Sequence, residues 1–173
     1  MNSFALEAWD DGSSLVTFYT VRREGSDLSE TDKFMQKFGR HEQYGGALQE
    51  LMSLLFDTMG EQFGAHPTFF SREENRVMAL PPSKARLGHI TFAYPHFSLR
   101  LFCYRLSEDL VILFNGGPKT AATAQQSEDL HVFFIQANDF AKRIQEALDE
   151  GMIMLDANGR SLVDFQGNTD IYF

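Results

Sequence analysis

The chain has 173 residues and a net charge of −9, from 15 Lys+Arg against 24 Asp+Glu. That length fits one domain whose core needs no staple, and the acidic total excludes a broad surface that coats nucleic acid or an anionic membrane. A single cysteine, Cys103, rules out an internal disulfide, no stretch nears the roughly 18 apolar residues of a membrane-spanning helix, and Met1 to Glu7 lack the pattern of a signal peptide, so the cytoplasm is the expected location.

In chain order, residues 13–23 are rich in β-branched and aromatic side chains and predict a first strand. Ser29-Glu30-Thr31-Asp32 is a capping-box-like helix start, with Phe34 and Phe38 on one face and a stop at Gly39. After Gly45-Gly46 the apolar residues Leu48, Leu51, Met52, Leu55, Met59 and Phe63 keep a 3.6-residue period, predicting a second helix that stops at Gly64. Residues 66–96 predict mostly exposed loop, with a short strand at 68–70, a turn at Glu73-Glu74-Asn75-Arg76, a break at Pro81-Pro82 and a strand over 89–94. Residues 97–106 form the plainest strand pattern. A turn at 107–109 leads to the wholly apolar run 110–114, which predicts a buried central strand paired with it as a hairpin and ending in a loop at 115–120. Ser127-Glu128-Asp129 predicts the start of a third helix with the stripe Phe133, Ala137, Phe140, Ala141, Ile144 and Leu148. The tail reads as a small hairpin around Asn158-Gly159. The expected architecture is α+β: a mostly antiparallel sheet with two N-terminal helices packed on one face, in a single domain over 1–173, with 127–173 as a helix-hairpin extension.

The charge is unevenly spread. Residues 1–64 carry net −6, residues 65–127 net +3 and residues 128–173 net −6. The basic middle third also holds His66, His89 and His96, which suits either chance clustering or a local anion site. The 17 phenylalanines read as an aromatic-rich core rather than a base-stacking surface. Phosphate-binding Gly-x-x-x-x-Gly-Lys, dinucleotide Gly-x-Gly-x-x-Gly, zinc His-Glu-x-x-His and nucleophile-elbow Gly-x-Ser-x-Gly patterns are all absent. No metal or organic cofactor is therefore expected. The acid pairs Asp10-Asp11 and Glu73-Glu74 read as solvated surface, because chain neighbours do not converge.

The hairpin is the remaining candidate. Alternation along a strand puts Arg100, Phe102 and Tyr104 on one face and Leu99, Leu101, Cys103 and Arg105 on the other. The second set is mainly apolar and should face the helices, which leaves Arg100 and Tyr104 on a more open face. A planar guanidinium beside an aromatic hydroxyl suits a phosphate. Gly116 and Gly117 would let backbone N–H groups approach a ligand, and Lys119 would add a charge. Equally, Arg100 can pair with an acid from a helix, and Gly-Gly-Pro can be a plain turn.

The segment Leu99-Arg100-Leu101-Phe102-Cys103-Tyr104-Arg105, followed by Val111-Ile112-Leu113-Phe114-Asn115-Gly116-Gly117-Pro118-Lys119-Thr120, resembles the core of RelE/HigB-type toxins of bacterial toxin–antitoxin modules, and more closely a longer group of RelE-like proteins. Ser29-Glu30-Thr31-Asp32-Lys33-Phe34 is similar to that group's helix start, and the order strand, helix, helix, strands is the family's. The resemblance implies a metal-free endoribonuclease that attacks phosphate with a ribose 2′-hydroxyl on messenger RNA, often at the ribosome. It also implies neutralisation by a small helix-turn-helix antitoxin. By position, Arg100 would hold the scissile phosphate and Lys119 would be the basic residue after the last core strand. Tyr104 would orient or stack, Gly116 and Gly117 would line the RNA, and Arg105 would be a lesser contact. The family's Tyr or His near the end of the core has only His131 as a candidate, which a surface place on a helix explains equally. A non-catalytic protein-binding module on the same scaffold and a small phosphate-ligand binder are the alternatives.

Overall fold

A computed structural model describes residues 3–73, 76–119 and 123–173. The chain begins with strand β1 (Phe4–Asp10), which pairs antiparallel with β2 (Thr17–Arg23). Composition alone points to β2 but not to β1. Helix α1 (Glu30–Gly39) starts as its sequence predicts, the Ser29 hydroxyl accepting the Asp32 N–H. α2 (Gly45–Ser53) runs on into a π-helix over Leu54–Phe63. One apolar stripe thus spans two helical geometries. The wider turn ends at Gly64, whose N–H donates to the Met59 carbonyl and whose φ of 79° suits glycine.

Residues 66–96 are more ordered than their composition suggests. Pro67–Phe69 is a 3₁₀ turn rather than a strand, because His66 Nδ1 accepts the Thr68 N–H and caps it. β3 (Ser71–Arg72) and β4 (Met78–Leu80) form a hairpin, and β5 (Lys84–Leu87) and β6 (Ile90–Ala93) form another. Phe69, Phe70, Val77, Ala79, Leu80 and Ala85 are buried, so residues 69–85 contribute to the core, while 86–96 are exposed or half-buried as expected. Of the turn expected at 73–76, Glu74 and Asn75 lie outside the described residues.

β7 (Leu99–Arg105) and β8 (Leu110–Pro118) are the antiparallel hairpin at the centre. β8 extends four residues past its predicted end and is buried throughout. α3 (Ala124–Asp149) begins ahead of the expected Ser127, because Thr123 is its N-cap and accepts the Gln126 N–H. The tail hairpin is β9 (Ile153–Leu155) with β10 (Leu162–Asp164). The final strand, β11 (Ile171–Tyr172), pairs with β1.

The result is α+β with a mixed seven-stranded sheet in the order β11-β1-β2-β8-β7-β4-β3. The β2–β8 pair is parallel, with Thr17 opposite Leu110. A parallel pair needs a long crossover, and the helices supply it. Strand alternation divides the core in two. Phe34 and Phe38 of α1 and Leu48 and Leu51 of α2 cluster with Leu101, Cys103, Val111 and Leu113. Ala137, Phe140, Ala141 and Ile144 of α3 cluster with Phe102, Tyr104, Ile112 and Phe114. Both faces of β7 and β8 are thus covered, which is why β8 is apolar at successive positions instead of alternating. Within segment 127–173, α3 packs Ala137, Phe140, Ala141 and Ile144 into the second cluster and β11 widens the sheet.

Polar ties fix α1 to the sheet. The Thr20 and Thr31 hydroxyls lie 2.7 Å apart, and Thr31 also donates to the Phe114 carbonyl at 3.0 Å, all of it buried. The Trp9 indole donates to Asp32 at 2.9 Å. No helix among the described residues is long and apolar enough to cross a membrane.

Candidate functional site

A bulge in the central hairpin builds the site. Arg100 faces Gly117 and Leu101 faces Gly116, yet Cys103 faces Leu113, so β8 carries an extra residue between these pairs. The Asn115 side-chain oxygen accepts the Gly116 N–H at 2.8 Å and steadies the irregularity. β7 and β8 approach so closely there that a Cβ on Gly116 would lie 1.9 Å from the Arg100 carbonyl oxygen. Gly116 is required by strand packing. On Gly117 a Cβ would meet only Leu130 of α3, at 3.6 Å. Both glycines lie within β8 beneath the start of α3, beside a recess of about 70 Å³ that Lys37, His41 and Asp129 also line. The phosphate-cradling loop expected at 115–120 is therefore strand as far as Pro118, and Thr120 lies outside the described residues.

Arg100, Phe102 and Tyr104 share a face as alternation requires, but that face is not open. α3 crosses it, leaving Tyr104 only 8% exposed, with its hydroxyl donating to Gln145 of α3. Burial raises the Tyr104 phenol above its ordinary range, Arg76 opposing and Asp149 adding to that shift. Arg105, on the other face, donates from Nε to the Ala65 carbonyl at 2.6 Å and so fastens the chain after the π-helix. Lys119 is exposed just past β8, its N–H held by the Ser98 carbonyl at 2.7 Å.

Arg100 reaches past α3. Its side chain, 28% exposed, pairs through Nη1 with Glu73 at 3.3 Å. The acid comes from the segment just after β3, not from a helix. The two line a cavity of about 280 Å³ together with Ser127, His131 and the apolar Phe102, Leu130 and Phe134. Of the residues expected at a site, Arg100 and His131 line this cavity. Tyr104, Lys119, Gly116, Gly117 and Arg105 are not in its lining. Glu73 has no signal in the sequence, since it looks like half of a solvated acid pair. The β3–β4 hairpin carries it there.

A cavity with a guanidinium, a carboxylate, an imidazole and a hydroxyl on an apolar floor can bind an anion and move protons. No group of three or more His, Cys, Asp or Glu among the described residues is placed to hold a metal ion. Cys103 is buried, and burial drives its thiol far up, away from the reactive thiolate. No protein-family model, curated protein or solved structure matches the chain.

Proposed function

We propose that the protein is a RelE-like endoribonuclease toxin that cleaves RNA at the Arg100–Glu73–His131 cavity. The run from β2 through α1 and α2 to the β7–β8 hairpin supports this reading, and β1 and the β3–β4 and β5–β6 hairpins are additional to it. The observation that carries it is the gathering of Arg100, Glu73 and His131 around one cavity. In this scheme Arg100 holds the scissile phosphate and stabilises its growing charge. Glu73 accepts the proton of the ribose 2′-hydroxyl as its oxygen attacks phosphorus. The bond to the 5′ oxygen breaks, and His131 delivers a proton to that leaving oxygen. The products are a 2′,3′-cyclic phosphate and a 5′-hydroxyl end. Arg100 is already next to Glu73, so an arriving phosphate takes over a guanidinium that the carboxylate now holds. The acidic total favours a small contact on RNA, delivered by the ribosome, over a long RNA track. A cytoplasmic setting and a helix-turn-helix antitoxin belong to the same reading.

Inducing the gene in a bacterial host tests it. Wild type should arrest growth and fragment messages, and Arg100→Ala should abolish both. Normal growth with intact messages for wild type and variant alike would overturn the proposal. One observation favours a non-catalytic protein-binding module instead: Arg100 and Tyr104 already have internal partners in Glu73 and Gln145. That reading expects no message loss and no effect of Arg100→Ala.

A further inference from the structure

We propose that the outer edge of β11 accepts an extended, basic strand from a partner protein, which adds an eighth strand to the sheet. This is independent of the ribonuclease reading. β11 is the terminal strand of the sheet. Phe4 and Phe173 exchange both main-chain hydrogen bonds, at 3.1 and 2.8 Å. By the alternation of an antiparallel ladder, the N–H and C=O of Tyr172, which faces Ala5, point away from β1. That donor and acceptor are a template for another strand.

The side chains around the edge fit the same occupant. Tyr172 is 74% exposed and Phe165 59% exposed, with Met152 close behind, an unusual apolar concentration for a free surface. Two cavities share Tyr172 and Phe173. One, of about 470 Å³, lies against α3 over Met152, Phe165 and Ile171. The other, of about 350 Å³, is lined by Ala5 and Arg22, which alternate away from the α3 face, and by Phe4 and Glu24 at the strand ends. Successive side chains of an added strand point to opposite faces, so each cavity would take alternate residues.

Charge selects among occupants. Glu146, Glu150, Asp164 and Asp170 line the larger cavity against one arginine, Arg143, whose guanidinium lies over the Phe4 and Phe173 rings. Lys142 reaches Glu146 only at 3.9 Å. The edge therefore favours Lys or Arg side chains alternating with apolar ones. A second copy of this chain would bring the same carboxylates and is disfavoured.

The test is an amide NMR titration of the full chain with a capped eight-residue peptide of alternating Lys and Val, and with its Glu and Val counterpart. The Lys peptide should shift amides at 170–173, Met152 and Phe165, and the Glu peptide should not. Glu150→Lys combined with Asp170→Lys, both exposed positions, should weaken the Lys peptide at least tenfold. So should Tyr172→Pro, which deletes an outward N–H without removing a ladder bond. Melting curves of the variants establish that they fold. Absent shifts at millimolar peptide, shifts elsewhere, or an equal response to the Glu peptide would overturn the proposal. So would a dimer in sedimentation that Tyr172→Pro dissociates.

Discussion

Gly116 and Gly117 are adjacent, yet the structure gives them opposite tolerances. Alanine at Gly116 would put its Cβ 1.9 Å from the Arg100 carbonyl oxygen, with that carbonyl carbon at 2.9 Å and Leu101 Cα at 3.0 Å. These are main-chain atoms of the central strand pair, so no side chain can rotate to make room. The two strands must part by about 1 Å, and overpacking of this kind costs about 3 kcal/mol. For a chain of this length, that corresponds to a fall in Tm of about 6–12 °C. Alanine at Gly117 meets Leu130 Cδ1 at 3.6 Å, an ordinary contact. Relieving a strand glycine should leave stability unchanged or raise it by about 0.5 kcal/mol. Circular-dichroism melts of the two variants decide the matter. A Gly116→Ala melt within about 1 °C of wild type, or a Gly117→Ala fall of equal size, would show that the main-chain approach at Gly116 does not set its tolerance.

Other consequences follow from burial. Tyr104→Phe loses the bond to Gln145 and should cost about 1 kcal/mol in a chemical melt. Thr31→Val removes its hydroxyl contacts to Thr20 and Phe114 in a buried site and should cost about 1–3 kcal/mol. The Cys103 thiol should ignore a thiol reagent at pH 8 in the native protein and react at once in denaturant. Tyr19, Tyr94 and Tyr104 are all raised, chiefly by burial. A raised phenol keeps its proton longer in the folded state, so its contribution is complete below about pH 10 and is lost as pH climbs through the folded value. Stability should fall steeply above about pH 10, and Tyr19→Phe combined with Tyr104→Phe should flatten that fall.

Local chemistry made part of this fold legible in the sequence. The Ser29 cap, the apolar stripe from Leu48 to Phe63 and the hairpin of β7 and β8 each depend on neighbours in the chain, and each is found. What escaped depends on distant partners. β1 and β11 hold each other at opposite ends of the sequence, and neither pattern is strong alone. The open face expected for Tyr104 is closed because Phe133, Phe140 and Ile144 of α3 need a surface to bury, and the second face of the sheet is the one available. Arg100 was legible as a charged residue that a strand has no packing use for. Glu73 was not, because it reaches Arg100 only through the pairing of β3 with β4 and of β4 with β7. Asn115-Gly116-Gly117 looked like a loop because glycine-rich segments often are, whereas here a bulge demands glycine within a strand.

Under the proposed reading, Arg100, Glu73 and His131 work together on a phosphodiester. It is tested most directly by incubating purified protein, in the presence of EDTA, with an end-labelled message on translating ribosomes, and resolving the product ends. Cleavage leaving 2′,3′-cyclic phosphate, lost at least a hundredfold in each of Arg100→Ala, Glu73→Gln and His131→Ala but retained in Tyr104→Phe, is the expected result. Intact message with wild type, or cleavage that survives all three substitutions, would contradict it.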